Sequence, residues 1–164
     1  MALINYVLLV STLLCSLVAG FVFSFASIVM PGIKPLDDRA YLQAFKAMDR
    51  VIQKNQPIFV VVWLGSVIML ILSTLLGLYQ LEGTQRILLI LACALYLLGV
   101  QLPTITINIP LNNQLQAQDL ESMTASELLK SRDAFDSRWL LWNTNRTVCA
   151  ILTTVILLVL LIRL

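Results

Sequence analysis

Residues Ile87–Gln114 read ILLILACALYLLGVQLPTITINIPLNNQ, an uncharged stretch that is apolar at first and then carries amides, hydroxyls and two prolines. The apolar part is typical of a membrane-spanning helix. If the helix continues, the polar part places four side chains on one face: Gln101, Thr104, Asn108 and Asn112. Polar side chains beside proline-disturbed backbone are tolerated at membrane depth only against protein or a wet cavity. The stretch therefore predicts the floor of a polar pocket.

Three other apolar runs are long enough to cross a bilayer, which takes about 20 residues. The four predicted spans are residues 3–30, 57–80, 86–109 and 139–162. Of the 164 residues, 59% are hydrophobic and 12% charged, whereas a soluble domain has about a quarter charged residues. The sequence predicts an all-α integral membrane four-helix bundle, formed as a single domain by residues 1–164. A signal peptide is the rival interpretation of the first run, but Met1–Tyr6 lacks the usual basic residues.

Two polar segments, Pro31–Gln56 and Asn113–Arg138, separate the spans and should lie on the same membrane side. In the first, apolar residues at helical spacing predict an amphipathic helix over residues 37–54: Tyr41, Phe45, Met48 and Ile52. This helix could lie on the bilayer surface or cap the mouth of the bundle. In the second, Thr124 and Glu127 match a capping box, so a helix is expected over residues 124–137.

Prolines and turn residues predict where the helices end. Met30-Pro31-Gly32 should end the first helix, and Pro57 should occupy the first turn of the second span with Asn55 as its cap. The sequence leaves open whether the helix from Thr124 joins the last span directly or bends near residues 136–139.

Nine of the eleven basic residues belong to the side of the two polar segments, and only Arg86 and Arg163 belong to the other. The positive-inside rule then places both polar segments in the cytoplasm and both termini outside. The expected location is the inner (plasma) membrane of a bacterium.

Several classes of protein are disfavoured by the composition. A net charge of +2 is too small to indicate a nucleic-acid partner. The chain has no histidine, the commonest metal ligand and general base, and its three cysteines are widely separated within apolar runs. We therefore expect no metal and no other cofactor.

Arg146 is a cation within the fourth span, and Trp139, Trp142 and Asn143 lie on the same side of its helix. Its guanidinium could reach back to the lipid headgroups or could turn into the bundle. In the second case we expect it to bond the amides of Asn108 or Asn112 or the carbonyls freed by Pro110, with Asn143 as a further acceptor. Every Asp and Glu lies outside the predicted spans, so no buried base is expected.

Four segments of the chain resemble the signature segments of a bacterial and fungal membrane family that includes the anthrone oxygenases. They are Gly20–Phe25 leading to Val29–Gly32, Ala47-Met48 leading to Asn55–Pro57, Asn108–Asn112 (NIPLN) and Trp142–Thr147 (WNTNRT). The resemblance implies a four-span fold and an enzyme that oxidises a planar aromatic ketone with O2, without metal or flavin. In the family a histidine often follows the tryptophan–asparagine pair, where this chain has Thr144.

Two functions remain open at this point. The first is a pocket that binds a hydrophobic small molecule without a catalytic role, in a protein that acts alone, as a homo-oligomer or within a larger membrane complex. The second is an enzyme similar to anthrone oxygenases, in which Arg146 and the two asparagines stabilise an oxyanion and the two tryptophans stack on the substrate. The missing base favours the first. For either function the predicted pocket residues are Gln101, Thr104, Asn108, Asn112, Trp139, Trp142, Asn143 and Arg146.

Overall fold

The computed structural model describes residues 3–164, which form five helices. They are α1 (Leu3–Ile33), α2 (Asp38–Gln53), α3 (Pro57–Gln80), α4 (Gly83–Gln116) and α5 (Ala125–Ile162). No strand occurs among the described residues, and α1, α3, α4 and α5 are each long and apolar enough to cross a membrane. The predicted all-α bundle of four membrane-spanning helices is confirmed, and the chain is an integral membrane protein.

The four long helices pack as an antiparallel bundle in which α1 contacts α3 and α5, and α4 contacts α5 and α3. The amide of Gln85 at the start of α4 donates to the carbonyl of Arg163 just after α5, at 2.9 Å, so these two ends lie together. The centre is apolar and closely packed, with Leu8, Cys15, Leu70, Tyr96 and Leu157 fully buried. Leucines and isoleucines cover the outside of the bundle, as expected for a surface that faces lipid.

Small and polar residues allow the helices of the bundle to pack closely against each other. The hydroxyls of Ser11 and Ser73 bond across α1 and α3 at 2.8 Å. At Gly99 a β-carbon would lie 2.5 Å from the sulfur of Cys149, so only glycine permits this approach of α4 to α5. By contrast, Gly20 has no neighbouring atom within 4 Å of its β-carbon position, so no helix of this chain packs closely there.

Three prolines lie inside the long helices, and each is preceded by a π-helical turn. These turns are Phe25–Val29, Leu97–Gln101 and Thr104–Asn108, and the residue that closes each one directly precedes Pro31, Pro103 or Pro110. A proline lacks the amide donor and its ring crowds the preceding turn, which a widened turn accommodates. The prediction that Met30–Gly32 ends the first helix is therefore wrong, because α1 continues to Ile33.

The other helix boundaries mostly follow the sequence. Asp37 caps α2 through a 2.9 Å bond from the amide of Ala40, and the capping box of Thr124 and Glu127 is present. The prediction of Asn55 as the cap of α3 is wrong. The side chain of Gln56 accepts from the amide of Phe59, because Asn55 takes a left-handed conformation, with φ of 55°, to turn the chain. The segment from Ala125 to Ile162 is one continuous helix, so the helix that begins after Thr124 joins the last span directly.

The two polar segments pack on each other at one end of the bundle. Arg132 of α5 donates to the carbonyls of Lys34 and Leu36 and pairs with Asp38 at 3.0 Å. Helix α2 turns its buried residues Tyr41, Leu42 and Phe45 toward α4 and α5. It therefore caps the bundle, as the second of the two sequence-based alternatives proposed.

Candidate functional site

A cavity of about 160 Å³ lies under α2, between α1, α3, α4 and α5. Its aromatic walls are Phe21, Phe25, Phe45, Phe59, Trp63 and Trp139. Its polar residues are Asp49, Thr104, Asn108, Asn112, Asn143 and Arg146. An engineered cavity of about 150 Å³ accepts benzene, so this space can enclose at least one aromatic ring.

Six of the eight predicted pocket residues line this cavity, and two do not. Gln101 lies below it and accepts a 3.0 Å hydrogen bond from the indole of Trp63, a residue of α3 that the sequence alone did not associate with it. Trp142 is half-buried on another side of α5 and is absent from the cavity wall. Whether the six residues bind a ligand remains a prediction.

Arg146 is turned into the bundle, and only 5% of the residue is exposed. Its guanidinium donates to the Thr104 hydroxyl at 3.0 Å and to the carbonyl oxygen of the Asn143 side chain at 2.8 Å. It also lies 5.9 Å from the centre of the Trp139 ring, within the range of a cation–π interaction. Burial in this position excludes the alternative in which the guanidinium reaches the lipid headgroups.

The expected partners of Arg146 on α4 are wrong, since among residues 3–164 it bonds neither Asn108 nor Asn112 nor a carbonyl freed by Pro110. The reason is the offset between the antiparallel helices α4 and α5. The Asn108 amide is level with the carbonyl of Trp139, 3.4 Å away, and Arg146 lies about two turns further along α5. It therefore faces Thr104, which lies one turn deeper on α4. The sequence predicted Asn143 as a further acceptor, and that prediction is confirmed.

Asn143 is fixed in the orientation that serves Arg146. Its amide nitrogen donates to the backbone carbonyl of Val22 in α1 at 3.1 Å. The carbonyl oxygen of the side chain must then face the guanidinium. A bond between α1 and α5 thus positions the cation at the inner end of the cavity.

Asp49 is the residue that the sequence analysis missed. Only 4% of it is exposed, and its carboxylate accepts hydrogen bonds from three amides: Asn112 at 2.7 Å, Gln53 at 2.7 Å and Gln116 at 2.9 Å. Among residues 3–164 the two ion pairs are Arg39 with Glu121 and Arg132 with Asp38, so Asp49 is held by neutral donors alone. The expectation that no buried base exists is wrong, because α2 lies outside the spans but folds over the cavity.

A signal for Asp49 was present in the sequence. It lies four residues after Phe45 and eight after Tyr41, so it shares the apolar face of α2. A carboxylate on the buried face of an amphipathic helix is rare unless it has partners. Periodicity alone therefore indicates that Asp49 is buried, but it does not show what the carboxylate faces.

Asn112 connects Asp49 to the aromatic wall. Its amide nitrogen donates to Asp49, and its carbonyl oxygen accepts from the indole of Trp139 at 2.8 Å. These two bonds fix both ends of the amide. They exist because α4 continues past Pro110 to Gln116, beyond the predicted end of the span at residue 109.

Two buried polar atoms of residues that line the cavity have no hydrogen-bond partner among residues 3–164. They are the side-chain oxygen of Asn108, an acceptor, and Nε of Arg146, a donor. Leaving such a group unpaired in a dry site costs about 1–3 kcal/mol. A ligand or water that offers both a donor and an acceptor would satisfy them.

A comparison with known families identifies the family of this chain. A family model described as Anthrone oxygenase matches residues 45–156, well over half of the chain. This chain belongs to the anthrone oxygenase family. No curated protein and no solved structure matches it.

The matched region contains every polar residue of the cavity, from Asp49 to Arg146. Among the sequence features that resemble the anthrone oxygenases, the histidine position is occupied here by Thr144. Thr144 is exposed and is not part of the cavity wall. In this member of the anthrone oxygenase family, Asp49 is the carboxylate that faces the cavity.

The contacts that hold α2 against α5 also shift the ionisation of its side chains. The Tyr41 hydroxyl donates to Asp136 at 2.5 Å, and Arg132 lies 4.1 Å from the centre of the Tyr41 ring. Burial, reinforced by the adjacent Asp136, raises the pKa of Tyr41, so the phenol stays neutral and remains a donor. Burial, together with Arg50, lowers the pKa of Lys46, whose ammonium donates to the carbonyl of Gln118 at 2.5 Å.

Proposed function

We propose that the cavity binds a flat aromatic ketone of the anthrone type and that the protein oxidises it with O2. The observation that carries this proposal is the pair of opposite charges in one aromatic-lined space. Asp49 and Arg146 both line the cavity but do not pair with each other. Asp49 is suited to remove a proton, and Arg146 is suited to stabilise the oxygen on which negative charge develops.

The spacing of the two charges suits such a molecule. Asp49 is bonded to Asn112 and Arg146 to Thr104, and these two residues of α4 are eight positions apart. That separation is at most about 12 Å along the helix axis at 1.5 Å per residue, and the π-helical turn Thr104–Asn108 within it shortens it. A carbonyl oxygen and the carbon opposite it in the same six-membered ring, with one polar contact at each end, span roughly 10 Å. The ring between them would lie against Phe25 and Trp139, whose centroids are 5.7 Å apart.

The proposed reaction needs only what these side chains and O2 supply. Asp49 removes a proton from the CH2 group opposite the carbonyl, and the electron pair delocalises over the rings onto the carbonyl oxygen near Arg146. The resulting anion reduces O2 and bonds to it, giving a peroxide at that carbon. Loss of the second hydrogen and cleavage of the O–O bond leave a new carbonyl and release one water. The carbon loses four electrons, which reduce the two oxygen atoms.

The sequence alone favoured a non-catalytic binding role because a base was missing. Asp49 removes that objection, and the unpaired donor and acceptor on Arg146 and Asn108 support a ligand with polar atoms. Binding without turnover remains the alternative outcome of the experiment below. The expectation that no cofactor is needed also stays a prediction.

The experiment is oxidation of anthrone by the purified protein in liposomes. We expect anthraquinone to form with the uptake of one O2 per anthrone, faster than in protein-free liposomes. Anthrone also oxidises slowly by itself, so the protein-free rate is the control. Quenching of tryptophan fluorescence by anthraquinone without faster oxidation would indicate a binding protein and would contradict the catalytic proposal.

We further propose that both termini lie outside and that both polar segments are cytoplasmic, in a bacterial plasma membrane. Lys34, Arg39, Lys130 and Arg132 all lie at the end of the bundle that α2 covers, and the positive-inside rule places that end in the cytoplasm. Cysteines introduced at Gln85 and at Gln118 in a variant lacking the native three test this orientation. An impermeant thiol reagent added outside should label position 85, and preferential labelling of position 118 would reverse the assignment.

A further inference from the structure

We propose that the ligand reaches this cavity from within the bilayer, through a groove between α1, α2 and the start of α3. The inference rests on the proposed function, since it concerns the route to the same cavity. It also narrows the substrate class to molecules that dissolve in lipid.

The groove adjoins the cavity. It has a volume of about 430 Å³, and four residues line both spaces: Phe21, Phe25, Ile52 and Phe59. The remaining wall comes from Val29 of α1, Met48 and Val51 of α2, and Gln56. All but Gln56 are apolar, so the groove offers little to a charged or strongly hydrated molecule.

Exposed residues beside the groove are also apolar. Val51, which lines the groove, is 56% exposed, and Ile28 and Ile58, which neighbour the groove residues Val29 and Phe59 in the chain, are 67% and 71% exposed. Aliphatic side chains with this exposure on a membrane protein are expected to contact lipid. The groove therefore opens toward the acyl region of the leaflet on the side that α2 covers.

The polar side of the cavity is closed by hydrogen bonds. Asp49 bonds Asn112, Gln116 and Gln53, and Gln53 donates in turn to Asn113 at 3.2 Å. These bonds join α2 to α4 along the edge that faces the aqueous segments. A ligand that arrived from water would have to break them, whereas the groove needs only side-chain rotations.

Aromatic rings form the boundary between groove and cavity. The Phe21 ring lies 5.1 Å from that of Phe25 and 5.2 Å from that of Phe59, measured between centroids. Phe25 belongs to the π-helical turn of α1, a kind of irregularity often found at functional sites. Rotation of these rings would admit a flat molecule and then cover it.

The test measures how fast anthraquinone from donor vesicles quenches the cavity tryptophans of protein in liposomes. The variant is Val29→Phe/Val51→Phe, which narrows the groove at two residues that do not line the cavity. The control is Val61→Phe/Val155→Phe, the same change at lipid-facing positions that are 67% and 48% exposed. We expect the groove variant to slow quenching about tenfold while the final extent of quenching stays the same, because narrowing a route changes rates rather than affinity. The control should match the unchanged protein.

The outcomes separate this inference from the proposed function. Equal rates in the groove variant and the control, with quenching intact, would overturn the bilayer route and leave the site itself standing. Slower quenching in Asn113→Phe instead of the groove variant would place the entrance on the aqueous side and would also overturn it. A complete absence of quenching in the unchanged protein would overturn both.

Discussion

Asp49→Asn should lower the rate of anthrone oxidation by about 10²–10⁴-fold, the contribution expected of a general base. The change keeps the shape of the side chain, and its remaining oxygen can still accept from Gln53 and Gln116, while the bond from Asn112 and the proton acceptor are lost. Binding of anthraquinone should therefore survive. The measurement is O2 uptake with anthrone, together with quenching of tryptophan fluorescence by anthraquinone.

Asp133→Asn is the matched control, since Asp133 is exposed on α5 and makes no ion pair. It should keep the full rate. If Asp49→Asn retains the rate of the unchanged protein, another group removes the proton and the proposed role of Asp49 is wrong.

Arg146→Met should lower the same rate by about 10²–10³-fold, the loss seen when an oxyanion donor is removed. Methionine has a similar length but no charge. Arg146 is buried without an ionic partner, and its bonds to Thr104 and Asn143 and its contact with the Trp139 ring offset only part of the cost of removing its charge from water. We therefore expect the melting temperature of Arg146→Met to stay unchanged or to rise.

A lower oxidation rate together with an unchanged or raised melting temperature distinguishes an arginine that serves the reaction from one that serves the fold. Arg146→Lys keeps the charge but loses the planar fork that bonds Thr104 and Asn143 together, so it should recover the rate only in part. Arg138→Met, at an exposed position of α5, is the control and should change neither quantity. A clear fall in melting temperature with the rate retained would show that Arg146 serves the fold instead of the chemistry.

The spans and caps could be predicted because they depend on local properties of the chain. Apolar run length located all four membrane helices, and the Thr124 capping box located the start of α5. The end of α1 was predicted wrongly because the effect of a proline on a helix is not determined by the local sequence alone. Pro31 is usually a helix terminator, but the preceding π-helical turn absorbs it, and nothing in the local sequence indicates which will happen.

The site could be predicted only as far as single helices allow. The polar stripe from Thr104 to Asn112 follows from helical periodicity, which also places Arg146 on the same side of α5 as Trp139 and Asn143 but leaves its direction open. The partners of Arg146 depend on the offset between α4 and α5. The hydrogen bond from Trp63 to Gln101 depends on the position of a third helix, α3. Asp49 enters the cavity because α2 folds over the bundle. The sequence of α2 alone does not show whether this amphipathic helix lies on the membrane surface or covers a binding site, because that depends on its tertiary contacts.

The central claim is that a flat aromatic ligand lies between Asp49 and Arg146, and a cryo-EM structure with anthraquinone in lipid nanodiscs tests it most directly. We predict density for the rings against Phe25 and Trp139, with one carbonyl oxygen within hydrogen-bond distance of Arg146 and the opposite edge directed at Asp49. Anthraquinone bound elsewhere, or a lipid chain that fills this cavity in its presence, would contradict the claim.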